Sequence, residues 1–162
     1  MVAVSMHPYF SSKPATTYVV RFVLLSLLYA GIAWLSLTFM PQGASGASLV
    51  WPVAAIGLAG LLFWGLNLWP ALLLGIFLVL IARGFPPFLA AGVSAGNVVE
   101  ALIGAWILMR AGFHPIMSRL RDTLGLILAA FISTFVSALI IAWSAALLVG
   151  SGFSAELLVG LW

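Results

Sequence analysis

The chain has 162 residues, of which 65% are hydrophobic and only 6% are charged, and its mean hydropathy is +1.28. A soluble domain carries about 25% charged residues, so this composition excludes a soluble globular protein. The net charge of +3 is spread without a basic run, which argues against nucleic-acid binding. There is no cysteine and there are only two histidines, so we expect no metal site and no cofactor. These features predict an all-α integral membrane protein whose main partner is the lipid bilayer.

The N-terminal part predicts a short tail and one membrane helix. Residues 1–17 are polar and irregular, whereas the apolar run at about 18–40 is long enough to cross a bilayer. The apolar core of a cleaved signal peptide is about 7–15 residues, so this longer run is interpreted as an uncleaved helix. Ala44, Ser45 and Ala47 mimic a cleavage site and keep the signal-peptide alternative open.

Two Trp-Pro pairs predict the starts of the second and third helices, at about 50–66 and 69–82. Pro52 and Pro70 suit the first turn of a helix, where a missing N–H costs nothing. Trp51 and Trp69 are interpreted as anchors at the two membrane interfaces. The alternative is that the Trp-Pro pairs line a binding pocket at the outer and inner mouths of the bundle.

The fourth helix, predicted at about 86–109, carries an acid near the middle of a membrane span. A charged side chain at that depth costs energy, so an intramembrane acid is by default a functional hypothesis. Asn97 lies three residues before Glu100, on roughly the same helix face. One interpretation is a ligand, proton or ion site. The other is a structural polar clamp, in which a neutral Glu100 is hydrogen-bonded to Asn97 or to hydroxyl groups of the fifth helix.

Small residues recur every fourth position around that acid, at Gly92, Gly96 and Gly104. Small residues let two helix backbones approach closely in a membrane. We therefore predict helix packing along this stripe, with packing inside the chain favoured over a homodimer face.

The fifth helix is predicted at about 122–149, after the most charged loop of the chain. Asp122 is predicted to cap its N-terminus, where a carboxylate accepts from unpaired N–H groups. Ser133, Thr134 and Ser137 offer hydroxyl groups to a neighbouring helix. Residues 154–162 look like the start of a sixth apolar segment, and a span needs about 20 residues. We therefore expect a bundle of five membrane helices plus a truncated sixth, in an incomplete domain covering 18–162.

The basic residues predict the orientation. With a cytoplasmic N-terminus, one basic residue, Arg83, lies outside. The others lie inside: Lys13, Arg21, Arg110, Arg119 and Arg121. This bias follows the positive-inside rule and predicts a multi-pass protein whose N-terminus is cytoplasmic.

The ordered series of these motifs resembles the membrane-associated sensor domain, type one (MASE family), of bacterial signalling proteins. The pieces that carry the resemblance are Leu49-Val50-Trp51-Pro52, Ala55-Ile56-Gly57-Leu58-Ala59, Trp69-Pro70 with Gly75, Ala95-Gly96-Asn97-Val98-Val99-Glu100-Ala101, and Leu120-Arg121-Asp122. Their spacing and order agree over about 30–162. The resemblance implies that the characteristic positions are Trp51, Pro52, Trp69, Pro70, Asn97, Glu100 and Asp122.

The resemblance also implies a function. Such domains have about eight membrane helices, lie in the bacterial inner membrane, commonly act as homodimers and precede a cytoplasmic output domain such as a histidine kinase or a diguanylate cyclase. We therefore expect a non-enzymatic sensory input domain whose last helices and output domain are missing from this sequence.

Two further function classes stay open. The first is a small transporter, or transporter subunit, that uses Glu100 for proton or cation coupling. The second is a structural or assembly subunit in which Glu100 affects stability alone. An enzyme is not expected, because the sequence has no nucleophile motif and no phosphate loop, and its three carboxylates lie on different elements.

Overall fold

The computed structural model describes residues 15–39, 52–113 and 120–149. These ranges are helical, with short turns between the helices and no strand. The helices are α1 (Ala15–Phe39), α2 (Pro52–Trp64), α3 (Trp69–Ala82), α4 (Pro87–Arg110) and α5 (Leu120–Val149), with a 3-10 turn at Leu66–Leu68 between α2 and α3. The prediction of an all-α protein is confirmed over this part of the chain.

Prolines and glycines set several helix boundaries. Pro52 and Pro87 are the first residues of α2 and α4, where a proline needs no N–H partner. Gly65 and Gly84 follow α2 and α3 with φ angles of 110° and 83°. Side chains rarely adopt such positive φ angles, so glycine permits both tight turns.

Helix α4 lies at the centre of the bundle. It packs against α2, α3 and α5, and its interface with α5 is the most extensive in the described part of the chain. Helix α1 packs against α2 and α3 on the other side. The shared apolar core contains Tyr29, Leu72, Ile76 and Ala101. Four helices therefore enclose one core, and α5 is added to it mainly through α4.

Three helices are long and apolar enough to cross a membrane: α1, α4 and α5. Large apolar side chains on α1 and α5 point outward, for example Leu27 at 66% and Phe131 at 59% exposure. Such surfaces suit lipid and not water. The protein is therefore a helical membrane protein.

The predicted count of five spans is only partly met. Helix α2 has 13 residues, and α3 with the preceding turn covers Leu66–Ala82. At about 1.5 Å per residue, 13 residues extend only about 20 Å, which is less than a hydrocarbon core of about 30 Å. By length and composition, three of the described helices are candidates for crossing the membrane, and five spans are not confirmed.

Helix α3 runs parallel to α1 and is joined to it at both ends. At one end the Tyr18 hydroxyl donates to the Asn67 carbonyl at 3.2 Å. At the other end Arg83 donates through Nη2 to the Trp34 carbonyl at 3.2 Å and also to the Thr38 hydroxyl. The Arg83 guanidinium lies 4.4 Å from the centroid of the Trp34 ring, a cation–π contact.

Several predicted features lie outside the described residues. They are the tail and the loop before α2, including Trp51, and the apolar segment at 154–162.

Candidate functional site

A hydrogen bond between α4 and α5 ties Glu100 to its neighbours. The Thr134 hydroxyl donates to Glu100 Oε1 at 3.0 Å. Ser137, three residues later on α5, supplies a second side-chain hydrogen bond to the same carboxyl group. Glu100 is half-buried, and Ser137 is buried. The acid therefore points at protein, and its partners are the hydroxyl groups that the sequence placed on the fifth helix.

Asn97 is buried one turn before Glu100. Its exposure is 5%, and its Nδ2 donates to the Val93 carbonyl of α4 at 2.9 Å. Ser133 also bonds inside its own helix, because its hydroxyl donates to the Ala130 carbonyl at 3.2 Å. Of the three hydroxyl residues predicted to reach Glu100, Thr134 and Ser137 do so.

The stripe of small residues on α4 lies at an interface within the chain. A Cβ atom at Gly96 would lie 2.9 Å from Ile141 Cγ1 and 3.2 Å from the Ser137 carbonyl oxygen. A Cβ at Gly92 would overlap Ser144. A Cβ at Gly104 would lie 3.2 Å from Leu58 Cδ1 on α2 and 3.9 Å from Ser133 Cβ. These glycines bring α5 close enough for the hydrogen bond at Glu100.

Tyr29 is a fully buried polar residue of α1 that sequence reasoning missed. Its side chain has no exposed surface, and no residue in the described ranges pairs with its hydroxyl. The ring packs over α2 at Gly57, where a Cβ would lie 3.0 Å from Tyr29 Cε2. That same Cβ would lie 3.5 Å from Ala101 Cβ, which is next to Glu100 in the chain.

A signal for Tyr29 was present in the sequence. Tyrosine is usually enriched at the two membrane interfaces, where its hydroxyl meets water. Tyr29 stands near the middle of a long apolar run instead. A hydroxyl at that depth needs a partner inside the protein.

The structure does not bring the Trp-Pro pairs together. Pro52 begins α2 and Trp69 begins α3, and these helices are joined by the short turn at 65–68, so the two starts lie at opposite ends of a helical hairpin. Trp69 is 43% exposed and Pro70 is half-buried. Exposure of this kind is compatible with the predicted role of Trp69 as an anchor in the lipid interface.

The predicted capping role of Asp122 needs correction. Helix α5 already begins at Leu120, so Asp122 lies inside the first turn and not before it. Its exposure is 2%, and neither carboxylate oxygen accepts a hydrogen bond from the part of the chain that the structure describes. The contribution left to Asp122 is its favourable interaction with the positive end of the helix dipole.

Residues 15–39, 52–113 and 120–149 contain no group of three or more His, Cys, Asp or Glu side chains arranged to hold a metal ion. The candidate site is a cluster of one carboxyl group with hydroxyl groups, contributed by α4 and α5.

Comparisons with known proteins give no family for this chain. No protein-family model, no curated protein and no solved structure matches it.

Proposed function

We propose that the protein is a non-enzymatic sensory input domain of a bacterial signalling protein, of the MASE type, in which the α4–α5 interface changes its packing. The observation that carries the proposal is the hydrogen bond from Thr134 to Glu100. It lies in the middle of an interface lined by small residues, where a polar bond is the main directional contact. An ionisable side chain inside a membrane-spanning helix is by default the basis of a functional hypothesis.

The proposed topology has five spans. Tyr18 and Thr38 are 20 positions apart in α1, or about 30 Å of helix. Because α3 and its flanking turns pair with α1 at both of these levels, α3 extends across nearly the same depth. Helix α2 connects the two ends in the opposite direction. This pairing supports a membrane crossing by the α2–α3 hairpin despite its short helices.

The proposed location is the bacterial inner membrane with a cytoplasmic N-terminus. Arg21, Arg110 and Arg121 share one end of the helices that the structure describes, whereas Arg83 lies at the other end. The positive-inside rule assigns the end with three arginines to the cytoplasm. An output domain on that side, such as a histidine kinase or diguanylate cyclase, and a homodimeric arrangement complete the proposal.

The mechanism requires two packings of α5 against α4. In one packing Thr134 and Ser137 form hydrogen bonds with Glu100, and in the other packing these hydrogen bonds are broken and replaced by different ones. A stimulus shifts the equilibrium only by its difference in affinity for the two packings. Movement at the cytoplasmic ends of α4 and α5 would pass the signal onward.

Spin-label distances test this proposal. Met109 and Leu124 are exposed residues near the cytoplasmic ends of α4 and α5, and the chain has no native cysteine to interfere. Labels at Met109→Cys and Leu124→Cys in nanodiscs should give two distance populations. Glu100→Gln should change their ratio, whereas Ser133→Ala, which removes a hydroxyl bonded within its own helix, should not. One sharp distance in every variant would contradict the proposal.

A transporter is the second candidate. The hydroxyl groups around Glu100 favour it, because a carboxyl group surrounded by oxygen atoms suits a proton or a cation. Stimulus-independent uptake into proteoliposomes that disappears with Glu100→Gln would select this function. The absence of such uptake, together with a packing change, would select the sensor.

A further inference from the structure

Neutral groups of α1 fix the position of the Arg83 side chain. Arg83 directly follows α3, and its Nη2 donates to the Trp34 carbonyl at 3.2 Å and to the Thr38 hydroxyl. The Thr38 hydroxyl donates its own proton to the Trp34 carbonyl at 2.7 Å, so its oxygen is an acceptor for Arg83. The Arg83 Cζ atom lies 4.4 Å from the centroid of the Trp34 ring. Two hydrogen bonds and a ring therefore hold the guanidinium in place without a carboxylate.

The positive charge of Arg83 has no counter-charge in the described part of the chain. The two acids of residues 15–39, 52–113 and 120–149 are Glu100 and Asp122. Glu100 lies about 20 Å along α4 from the helix start that follows Arg83. Asp122 lies in the first turn of α5, at the opposite end of the bundle. An arginine that is fixed but not balanced is matched best by an anion that the protein does not supply.

The guanidinium is open to such an anion. Its hydrogen bonds to described residues use Nη2 and lie at the exposed surface. The Nε atom is buried and has no partner among those residues. Because arginine carries five N–H donors, donors remain for oxygen atoms from outside.

The surface around Arg83 is aromatic and apolar, which indicates contact with lipid. Trp34 is 44% exposed, and Phe39, Phe85 and Phe88 are also exposed. Phe39 ends α1, Phe85 lies in the turn after α3, and Phe88 lies in the first turn of α4. Aromatic and basic side chains at the ends of membrane helices lie at the level of the lipid head groups. The anion present at that level is lipid phosphate.

We propose that Arg83, held against Trp34 and Thr38, binds the phosphate group of an anionic phospholipid, with phosphatidylglycerol as the representative lipid. Guanidinium N–H groups match phosphate oxygens and form charge-assisted hydrogen bonds with them. A zwitterionic head group brings its own positive charge, so it balances Arg83 less well than an anionic one. Free phosphate forms the same bonds but leaves the aromatic rings uncovered, whereas acyl chains cover them. The inference goes beyond the proposed sensory function, because it does not depend on a change in the packing of α5.

Arg110 is the matched control. Its Cζ atom lies 5.0 Å from the centroid of the Trp106 ring, so both arginines make a cation–π contact at a helix end. Arg110 is exposed and its ring belongs to its own helix, whereas Arg83 is half-buried and bonded to α1. A response to charge alone would involve both arginines. A built site involves Arg83.

Thermal unfolding of the full chain in a nonionic detergent tests the site. Phosphatidylglycerol is added to the micelles at increasing mole fraction, at constant ionic strength and pH. We expect a saturable rise in Tm, because a lipid that binds only the folded state stabilises it. Compared with its own Tm without lipid, Arg83→Gln should raise the apparent Kd for the lipid by at least about tenfold. Arg110→Gln should leave that Kd nearly unchanged.

Native mass spectrometry counts the retained lipid directly and covers a variant of low stability. Thr38→Val keeps the charge of Arg83 but removes one acceptor that fixes it. Its retention of phosphatidylglycerol should lie between that of Arg83→Gln and that of Arg110→Gln. Retention equal to that of the native chain would contradict the fixed guanidinium.

Four other results also overturn the proposal. A Tm that does not rise with phosphatidylglycerol excludes the site. An equal rise with phosphatidylcholine excludes the preference for an anionic lipid. An equal rise with inorganic phosphate assigns the site to the free ion. Equal losses of affinity in Arg83→Gln and Arg110→Gln would show that the lipid responds to net charge and not to the geometry at Arg83.

Discussion

The α1–α3 pair and the α4–α5 pair are held together in opposite ways. Polar contacts fasten α1 to α3 at both ends, through Tyr18 at one end and Arg83 at the other. The Ser26 hydroxyl adds a bond to the Ala71 carbonyl at 2.9 Å. Between α4 and α5, the hydrogen bond from Thr134 to Glu100 lies near the middle of α4. The proposed exchange of packings requires that α5 can pivot about this bond.

The core shows the same difference. Helices α1 and α3 contribute large buried side chains such as Leu25, Leu72 and Ile76. The buried residues of α5 are small, for example Ala138, Ala142 and Ser144. Small residues allow close contact between helices but their side chains interlock little. They therefore fix the distance between α5 and α4 better than the orientation of α5.

The largest expected effect is at Gly75. A Cβ there would lie 2.8 Å from the Ser26 carbonyl oxygen, a backbone atom that cannot rotate away. Gly75→Ala should lower the free energy of unfolding by about 1–3 kcal/mol, because overpacking must push α1 from α3. Reversible unfolding in mixed micelles measures this value. Gly31→Ala, whose Cβ would meet no atom within 4 Å, is the matched control on α1.

Gly96→Ala sharpens the comparison at the other pair. Its Cβ would lie 2.9 Å from Ile141 Cγ1, a side-chain atom, and 3.2 Å from the Ser137 carbonyl oxygen, so its approach to backbone is less close than at Gly75. We expect a smaller loss than at Gly75. A loss at Gly96 equal to or larger than that at Gly75 would mean that α5 is held as rigidly as α3.

Arg83→Ala should have the next largest effect. It removes the hydrogen bonds to the end of α1 and the cation–π contact with Trp34, together worth about 1–2 kcal/mol of stability. Arg110→Ala is the control, since Arg110 lies 5.0 Å from the centroid of the Trp106 ring of its own helix. In mixed micelles, the free energy of unfolding of Arg83→Ala should be clearly lower than that of Arg110→Ala. Equal losses of stability in the two variants would show that the contact between the ends of α1 and α3 is unimportant.

Thr134→Val should change stability by only about 0.5–1.5 kcal/mol, as is usual for one hydrogen bond inside a membrane bundle. Its effect on the distance between the ends of α4 and α5 should nevertheless exceed that of Gly75→Ala. Spin-label distances make this comparison. A stability loss without any change in distance would assign Glu100 a purely structural role.

Tyr18→Phe should have the smallest effect, less than about 1 kcal/mol, because its hydrogen bond to Asn67 is exposed. The same unfolding measurement detects it. If Tyr18→Phe lowered the free energy of unfolding as much as Arg83→Ala does, the contact at the N-terminal end of α3 would contribute at least as much stability as the contact at Arg83.

Composition and motif order predicted much of this fold. The low charge content predicted a membrane protein, and Pro52 and Pro70 predicted helix starts because a proline fits the first turn of a helix. A hydrogen bond from Glu100 to Asn97 or to a hydroxyl group of the fifth helix was one of two interpretations, and the structure gives Thr134 as a partner.

The remaining features depend on tertiary contacts that local patterns do not encode. Tyr29 was missed because its importance comes from Gly57, on another helix. The pairing of α3 with α1 depends on Arg83 reaching carbonyl and hydroxyl oxygens 45 or more positions away in the chain. Asp122 was interpreted as a cap because its position relative to the true helix start was two residues off.

A disulfide across the middle of the α4–α5 interface tests the central claim most directly. A Cβ at Gly104 would lie 3.9 Å from Ser133 Cβ, which is within the range of a disulfide. The variant with Gly104→Cys and Ser133→Cys in membranes should cross-link incompletely under mild oxidation, because part of the population holds the second packing. Adding Glu100→Gln should change the cross-linked fraction severalfold. Complete cross-linking at the same rate with and without Glu100→Gln would contradict two packings.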